Sequence, residues 1–548
     1  MKNKLGQFCL RINGTMKQTN TSGIHRESRR AYWTVTILTI SICLTSLGCS
    51  PAQETTVTAQ PPTGKVEVNE STDYWDVYYI QDKKIGYGHT EITSALDKNG
   101  APFIKIHSTN SMKMKRFGDS AKQEVAIVSI ERPDGSLVKF ASETKLGPVV
   151  NRSTGEVKNN ELEIVTETAG KKTTSKIDWN KNYKALFAPE QSLRQKPMKP
   201  GQSRMMQSLF PIFNSIATVQ LEAIGHEETD VLSVKKRLLR IETTIALVGG
   251  KLAMTMWVDE KGEAIKTFTP GIGQYSYRTT KEIATSSVGA GEYDLGKSTT
   301  VRIAKRIRNP HGTKQIKYRA VIKSEPSEAA SSRNPIESIF VAGPTQSFRK
   351  LNDKTLELLV RSIRPDKPAK LKKADTPPTD ADLAPNNLIQ SDDQLLVKLA
   401  NEVLPTEQDP WLLVCALERH VDNLIRETDF TQAFATAAEV AQSRRGDCTE
   451  HAVLLAGLCR ARQIPARVAM GLVYFELNGQ PSFGYHMWTE AWIKDRWMPM
   501  DATLGRQGVG AAHIKVAHSN LNGAAAYSAF LPVYKVLGRL ELEIVSIE

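Results

Sequence analysis

The chain has 548 residues, 40% of them hydrophobic and 24% charged, which is ordinary globular usage and excludes a chain disordered throughout. At about 100 to 200 residues per domain, the length calls for roughly three or four cores rather than one. The formal charge of +13 invites a nucleic-acid partner, but residues 1–48 hold seven Lys or Arg against one Glu, and +13 less that +6 leaves +7 for the remainder. Part of it lies in the solvated run "RPDKPAKLKKAD", and no basic stripe is interleaved with stacking aromatics, so nucleic acid is disfavoured as a partner.

The N-terminal stretch "RRAYWTVTILTISICLTSLGCS" sets Arg29 and Arg30 before an apolar run that ends in Leu47-Gly48-Cys49, the composition of an export signal. The run is about 18 residues long, near the lower limit for a bilayer span, so residues 1–48 are read as a signal peptide or a retained N-terminal membrane anchor. Gly48 before Cys49 resembles a bacterial lipobox, which Ser46 and Leu47 fit imperfectly; on that reading Cys49 is acylated after cleavage. Ser28-Arg29-Arg30 also resembles a twin-arginine signal. Each reading places the body outside the cytoplasm, in the cell envelope, membrane-anchored through the N-terminus or a lipid at Cys49 and facing the periplasm or exterior.

Residues 49–72 are polar and Pro-rich and read as a flexible tether. Residues 73–290 form a β-rich domain on the evidence of runs such as "YWDVYYIQDKKIGYGHTEIT" and "TTIALVGGKLAMTMWVDEKGEAIKTFT", with "RPDGS" and "DEKGE" as hairpin turns. The expectation is a large antiparallel sheet curved around a helix or a groove. Residues 295–365 read as a small β domain, with "KQIKYRAVIK" and "TLELLVRSI" its clearest strands, and residues 366–390 as a Pro-, Lys- and Asp-rich linker. Residues 391–548 begin with helical periodicity and turn to strands after Pro465.

Cys9, Cys43 and Cys49 lie in or at the end of the signal, leaving Cys415, Cys448 and Cys459 in the body. Cys448 and Cys459 share one predicted helix about 16 Å apart, too far for a disulfide. Cys415 lies on an apolar stripe with Leu412, Val421 and Ile425 and reads as a core cysteine. A free thiol kept in an exported protein asks for a reason. Cys448 sits between Gly446-Asp447 and the apolar helical spacing of Val453, Leu454, Leu458 and Ala461, so its sulfur belongs to a helix's first turn, where the dipole lowers a thiol's pKa from about 8.5. A small apolar cysteine at a helix start is the bland alternative. Downstream come three strands joined by an Asn478-Gly479 turn and a Lys494-Asp495-Arg496 turn. A hairpin turning near Asp495 sets His486 opposite about Leu504, with Asp501 within two rungs. If this meander packs on the Cys448 helix, a thiol hydrolase's roles converge: Cys448 as nucleophile, His486 as base and then acid, Asp501 to orient the ring.

The blocks "GDCTEHAVLLAGLCRARQIPARVAMG", "HMWTEAWI" and "WMPMDATLG" resemble the three motif blocks of the transglutaminase-like superfamily, which carry Cys, His and Asp in this order. The resemblance covers about residues 390 to 515. It implies a papain-like catalytic domain of helices plus antiparallel sheet behind the β-rich region, hence a multidomain α+β chain, and it makes Cys448, His486 and Asp501 the triad. It implies no cofactor and no metal. The activity expected is attack on an amide or peptide bond of a protein or peptide substrate through a thioester, with hydrolysis ranked slightly above amine transfer. Trp488 and Trp492 share the His486 face and are read as an aromatic wall for the acyl chain or as core. Glu450 complements the helix dipole and His451 packs or hydrogen-bonds. The second oxyanion donor cannot be named. Two other readings stand beside this one: a non-catalytic envelope adaptor whose β-rich region binds peptide or glycan, and a metal site using Cys448, His451 and His486 or Cys459, for which the spacing is poor.

Overall fold

A computed structural model describes residues 68–146, 149–168, 170–247, 250–287, 293–323, 336–363, 375–428, 435–522 and 531–548. The expected signal, the lipobox with Cys49, most of the tether and the first part of the linker lie outside them.

The N-terminal region is one fifteen-stranded sheet, β1 (Val68–Ile80) to β15 (Gln274–Thr279). Strands β1 to β8 (Lys171–Asp178) follow one another as neighbours, β9 (Tyr183–Lys184) to β15 do the same, and β15 closes the order by pairing with β1. The hairpins are pinned by residues that accept positive φ: Gln81 and Asp82 after β1, Asn159 and Asn160 after β6, Gly135 in "RPDGS" and Gly262 in "DEKGE". The alternating burial of β7 (Glu161–Thr168) and β11 (Ser215–Val231) gives the sheet an apolar inner face. Its two edges, β8 and β9, are joined by residues 179–182, and Trp179 and Ala185 pack with Leu209 against Leu162 and Ile164, so side chains rather than ladder bonds close the curl. A helix, Ala188–Gln195, lies against the "RPDGS" and "DEKGE" turns, with Gln195 donating to the Pro133 carbonyl and Leu193 in the core.

The C-terminal half holds two more sheets. One has the order β16-β21-β20-β23, with β22 beside β21; the other has the order β18-β19-β17-β24. Here β16 is Val301–Arg302, β17 Gln315–Ile322, β18 Gln346–Asn352, β19 Thr355–Arg361, β20 Ala466–Leu477, β21 Gln480–Trp492, β22 Trp497–Met500, β23 His513–Ser519 and β24 Leu540–Ile547. The division between 295–365 and 391–548 is therefore crossed twice, because β16 pairs with β21 and β17 pairs with β24. Residues 375–390, read as linker, are packed: Leu388 and Ile389 are buried and Asn386 donates to the Asn520 carbonyl. Pro and Asp content signals irregular backbone, which here lies against a core rather than in solvent. β1 likewise begins at Val68, inside the segment read as tether. With a mostly β chain and its longer helices after residue 390, the architecture is compatible with the α+β expectation.

The helix Cys448–Ala461 is the core of this half, buried at every position from Cys448 to Arg460. From Ala452 to Cys459 it is apolar all round rather than amphipathic. Leu454, Leu455 and Leu458 have no exposed surface, each contributing roughly 1.5–3 kcal/mol by burial. Its one buried cation, Arg460, donates to the carbonyls of Ala466, Ala384 and Asn520, which ties the packed linker to the helix end.

Candidate active site

Cys448 is the first residue of its helix and Asp447 caps it: Oδ1 of Asp447 accepts from the Thr449 N–H and hydroxyl, and the Asp447 N–H donates to Glu450 Oε2. Gly446 has a φ of +150°, and a Cβ there would meet the Glu450 Cβ at 2.3 Å, so the approach to this cap needs glycine. Glu450 also accepts the Ala435 N–H. Burial, then the Asp447 charge, push its carboxyl up to about 8, so at neutral pH it works as a hydrogen-bonded cap more than as a dipole counter-charge. His451 Nδ1 lies 2.6 Å from the Asp447 carbonyl, a local bond that takes it out of substrate contact through that nitrogen.

The helix packs on β21, where the Thr489 hydroxyl donates to the Ala452 carbonyl. Met487, next to His486 on β21, gives its backbone N–H to the Cys448 sulfur. His486 Nε2 lies 2.8 Å from Asp501 Oδ2. That contact assigns the ring proton to Nε2 and leaves Nδ1 as the basic nitrogen. The observed register, Thr489 opposite Met500 and Trp492 opposite Trp497, extends to His486 opposite Thr503, one residue from the expected pairing. Among the described residues β22 stops at Met500, which lets the Asp501 side chain reach back to the imidazole.

Two partners of this pair escape sequence reading. His513, on β23, places Nε2 3.0 Å from the same Asp501 Oδ2; it reaches the site because β23 pairs with β20, and a single histidine in "GAAHIKV" has no spacing that announces this. Glu418, on the helix Pro410–Leu424, accepts the backbone N–H groups of Asp501, Gln507 and Gly508 and so fixes the loop that carries the carboxylate. The signal for it was a lone acid on a helix face otherwise occupied by Val414, Leu417 and Val421. Thr503 completes the shell by donating its N–H and hydroxyl to Asp501 Oδ1.

The electrostatics differ from the sequence expectation at the sulfur. Cys448 has no exposed surface. Burial first, and the Asp447 carboxylate second, push its thiol well above the ordinary value, against the pull of the Met487 N–H and Arg116. The helix start alone therefore does not produce a thiolate; a base must take the proton. Burial would also push the Asp501 carboxyl up, but His486 and then His513 hold it well below its ordinary value, so it stays an anion. Trp488 lies over His486 at 6.2 Å between ring centroids and edge-on to His513 at 5.3 Å, whereas Trp492 packs on Trp497 instead. Cys415 and Cys459 are buried.

His486, Asp501 and His513 also bring three potential metal-ligand atoms within 4.8 Å of one another. Both imidazoles are engaged with the Asp501 oxygen. Neither Cys448 nor Cys459 belongs to this group, unlike in the metal site read from sequence.

The buried titratable groups set a pH dependence of stability. Burial leads in pushing the carboxyls of Glu131, Glu418 and Glu450 up to about 8. It likewise lowers His311 and His518 to about 4, and His451 and His513 in the same direction. Such histidines gain a proton on unfolding below about 6.5, so stability rises with pH up to there. Such carboxyls lose one on unfolding above about 4.5, so stability falls as pH climbs towards 8. The trends oppose each other below about pH 6.5, and of these two sets the carboxyls alone act above it, against a contribution from buried lysines such as Lys515 that burial lowers. The melting temperature is expected to fall between about pH 6.5 and 8; a rise across that window in scanning calorimetry would contradict the assignment.

Comparison with known proteins places this geometry. Residues 397–502 match the family model of the transglutaminase-like superfamily, and the resemblance read from the three motif blocks holds over that stretch, which includes Cys448, His486 and Asp501. No curated protein matches the chain. Among solved structures, the chain is similar to a candidate cysteine protease from Cytophaga hutchinsonii, with 16% identity, 43% of this chain and 86% of that one covered, and a TM-score of 0.24. It is similar to a β-barrel-like protein of a domain of unknown function from Brucella abortus, with 8% identity, coverage of 38% and 94%, and a TM-score of 0.27. A third, a candidate protease from Parabacteroides distasonis, gives 12% identity, coverage of 67% and 68%, and a TM-score of 0.18. At such scores these likenesses carry no weight beside the family match and the site geometry.

Proposed function

We propose that the chain is an exported thiol enzyme of the transglutaminase-like class that acts on amide or peptide bonds of a protein or peptide substrate, with Cys448, His486 and Asp501 as its triad on a papain-like domain. The observation that carries this reading is the Met487 N–H on the Cys448 sulfur, which sets the thiol beside a strand whose preceding residue, His486, is oriented by an ionised carboxylate. His486 Nδ1 takes the thiol proton as the sulfur attacks the carbonyl carbon. The same nitrogen then protonates the departing ammonia or amine, leaving a thioester on Cys448 and a neutral imidazole. Water or a second amine, deprotonated by His486, resolves the thioester to an acid or a new amide. We rank hydrolysis slightly above transfer. The reading includes attachment to the envelope membrane through the N-terminal segment or a lipid at Cys49, and it calls on no cofactor.

Acyl-enzyme trapping tests it. The protein is mixed with glutamine- and lysine-containing peptides, quenched in acid and digested, and a hydroxylamine-labile acyl mass on the Cys448 peptide is expected. An adduct on no cysteine across a broad peptide set, with amide chemistry still turning over, would remove the thioester route. Resolution with and without added amine separates hydrolysis from transfer.

A further inference from the structure

The buried partner of the nucleophile's cap comes from the other end of the chain. Arg116 is the last residue of β3 (Pro102–Arg116), and it donates through Nη2 to Asp447 Oδ2 at 2.6 Å across 331 residues of sequence. The two side chains are 3% and 0% exposed. Arg116 pairs with Asp119 across a two-residue turn, Phe117-Gly118, whose φ angles are +51° and +104°, a tight hairpin that leaves the arginine little freedom in where it points. The turn is docked by several contacts. The Lys115 N–H donates to the Tyr293 carbonyl, the Phe117 N–H donates to Asp294 Oδ1, and the Phe117 ring meets Phe475 of β20 edge-on at 6.2 Å.

We propose that Arg116 is a positioning residue of the Cys448 site: the N-terminal sheet completes the active site by holding, through this guanidinium, the Asp447 carboxylate that caps the nucleophile's helix. The inference rests on the thiol-enzyme reading. Asp447 spends Oδ1 on Thr449 and its N–H on Glu450, so Oδ2 and the negative charge are what Arg116 answers. Without the arginine, a carboxylate with no exposed surface keeps its hydrogen bonds from Thr449 but has no opposite charge, one residue from the sulfur, where it opposes any negative charge on that sulfur. The charged and titratable groups that act on Cys448 are Asp447, which caps its helix, Glu450 on that helix and Arg116 from the β3 turn, while His451, one turn on, faces Asp447, Asp501 and His486. Of these, Arg116 alone carries a permanent positive charge.

The test is the pH profile of Cys448 alkylation by iodoacetamide in the full chain, read peptide by peptide in a mass spectrometer. The midpoint reports thiolate formation and the plateau reports access to the buried sulfur. Arg116→Met should raise the midpoint by about one pH unit, roughly a tenfold slower reaction below it, while Cys415 and Cys459 stay protected; Arg116→Lys should restore most of the shift. Should Arg116→Met unfold and expose those two cysteines, wild type is compared instead with Arg116→Gln, which keeps a donor for Asp447 Oδ2 but carries no charge, and its midpoint should rise likewise. Equal midpoints in whichever pair stays folded overturn the proposal. His486→Ala separates the two failures: a profile indifferent to His486 removes the enzyme reading, whereas a profile that needs His486 and ignores Arg116 removes this inference alone.

Discussion

Replacing Cys448 by Ala is expected to bring amide turnover down to background, a loss of roughly 10³-fold to 10⁶-fold, in a protein that still melts cooperatively. On the proposed route the acyl group is transferred to the sulfur, and no neighbouring group inherits that role; Thr449, the nearest hydroxyl in sequence, is committed to Asp447. Structurally the change is small. It removes one atom from a site with no exposed surface, which leaves a minor void and costs about 1 kcal/mol. Turnover and a thermal melt on the same preparation therefore separate chemistry from folding. Wild-type turnover in the variant would sink the assignment of the nucleophile.

The second large effect belongs to Asp501→Asn, expected to lower turnover by roughly 10³-fold to 10⁴-fold by analogy with other nucleophile-histidine-carboxylate sites. The carboxylate accepts from His486 and His513 at one oxygen and from Thr503 at the other. An amide can present an oxygen to only one side; its N–H groups meet donors on the other, which turns the imidazole or frees its wrong nitrogen. Because buried groups lose partners, stability should fall too, by about 1–3 kcal/mol. His513→Gln is the informative companion. It keeps a donor for Asp501 and leaves His486 in place, so it should cost less than about tenfold in turnover. If it matched Asp501→Asn, the two histidines would have to be treated as equal members of the site.

The chemistry of the site was more legible than its architecture. Cys448, His486 and Asp501 each sit inside local patterns, a helix start, a strand and a strand end, that a single sequence displays, and the turns at Asn478-Gly479 and Lys494-Asp495 set the register that brings two of them together. What stayed hidden depends on contacts between residues far apart. Arg116 and His513 reach the site through a hairpin docking and a strand pairing that leave no periodic trace, and β16 and β24 look like ordinary strand fragments until their partners are known. The thiol's own environment was misread for a related reason: a helix start is visible in sequence, but complete burial of the sulfur depends on what the rest of the fold lays over it.

The pairing of β24 with β17 bears on the order of events during biogenesis. Strand β17 is made more than two hundred residues before Leu540–Ile547, the strand beside which it lies. Synthesis runs from the N-terminus, so the segments bearing the thiol, the imidazole and the carboxylate all emerge while β17 still lacks this neighbour. Such a long-range pairing is slow to form. The Tyr318 hydroxyl of β17 donates to the Ala511 carbonyl beside the histidine strand β23, so the early strand meets the site's sheet on one side and waits for β24 on the other. The sheet that backs the one carrying His486 is therefore completed only after residues 448–501 have been made.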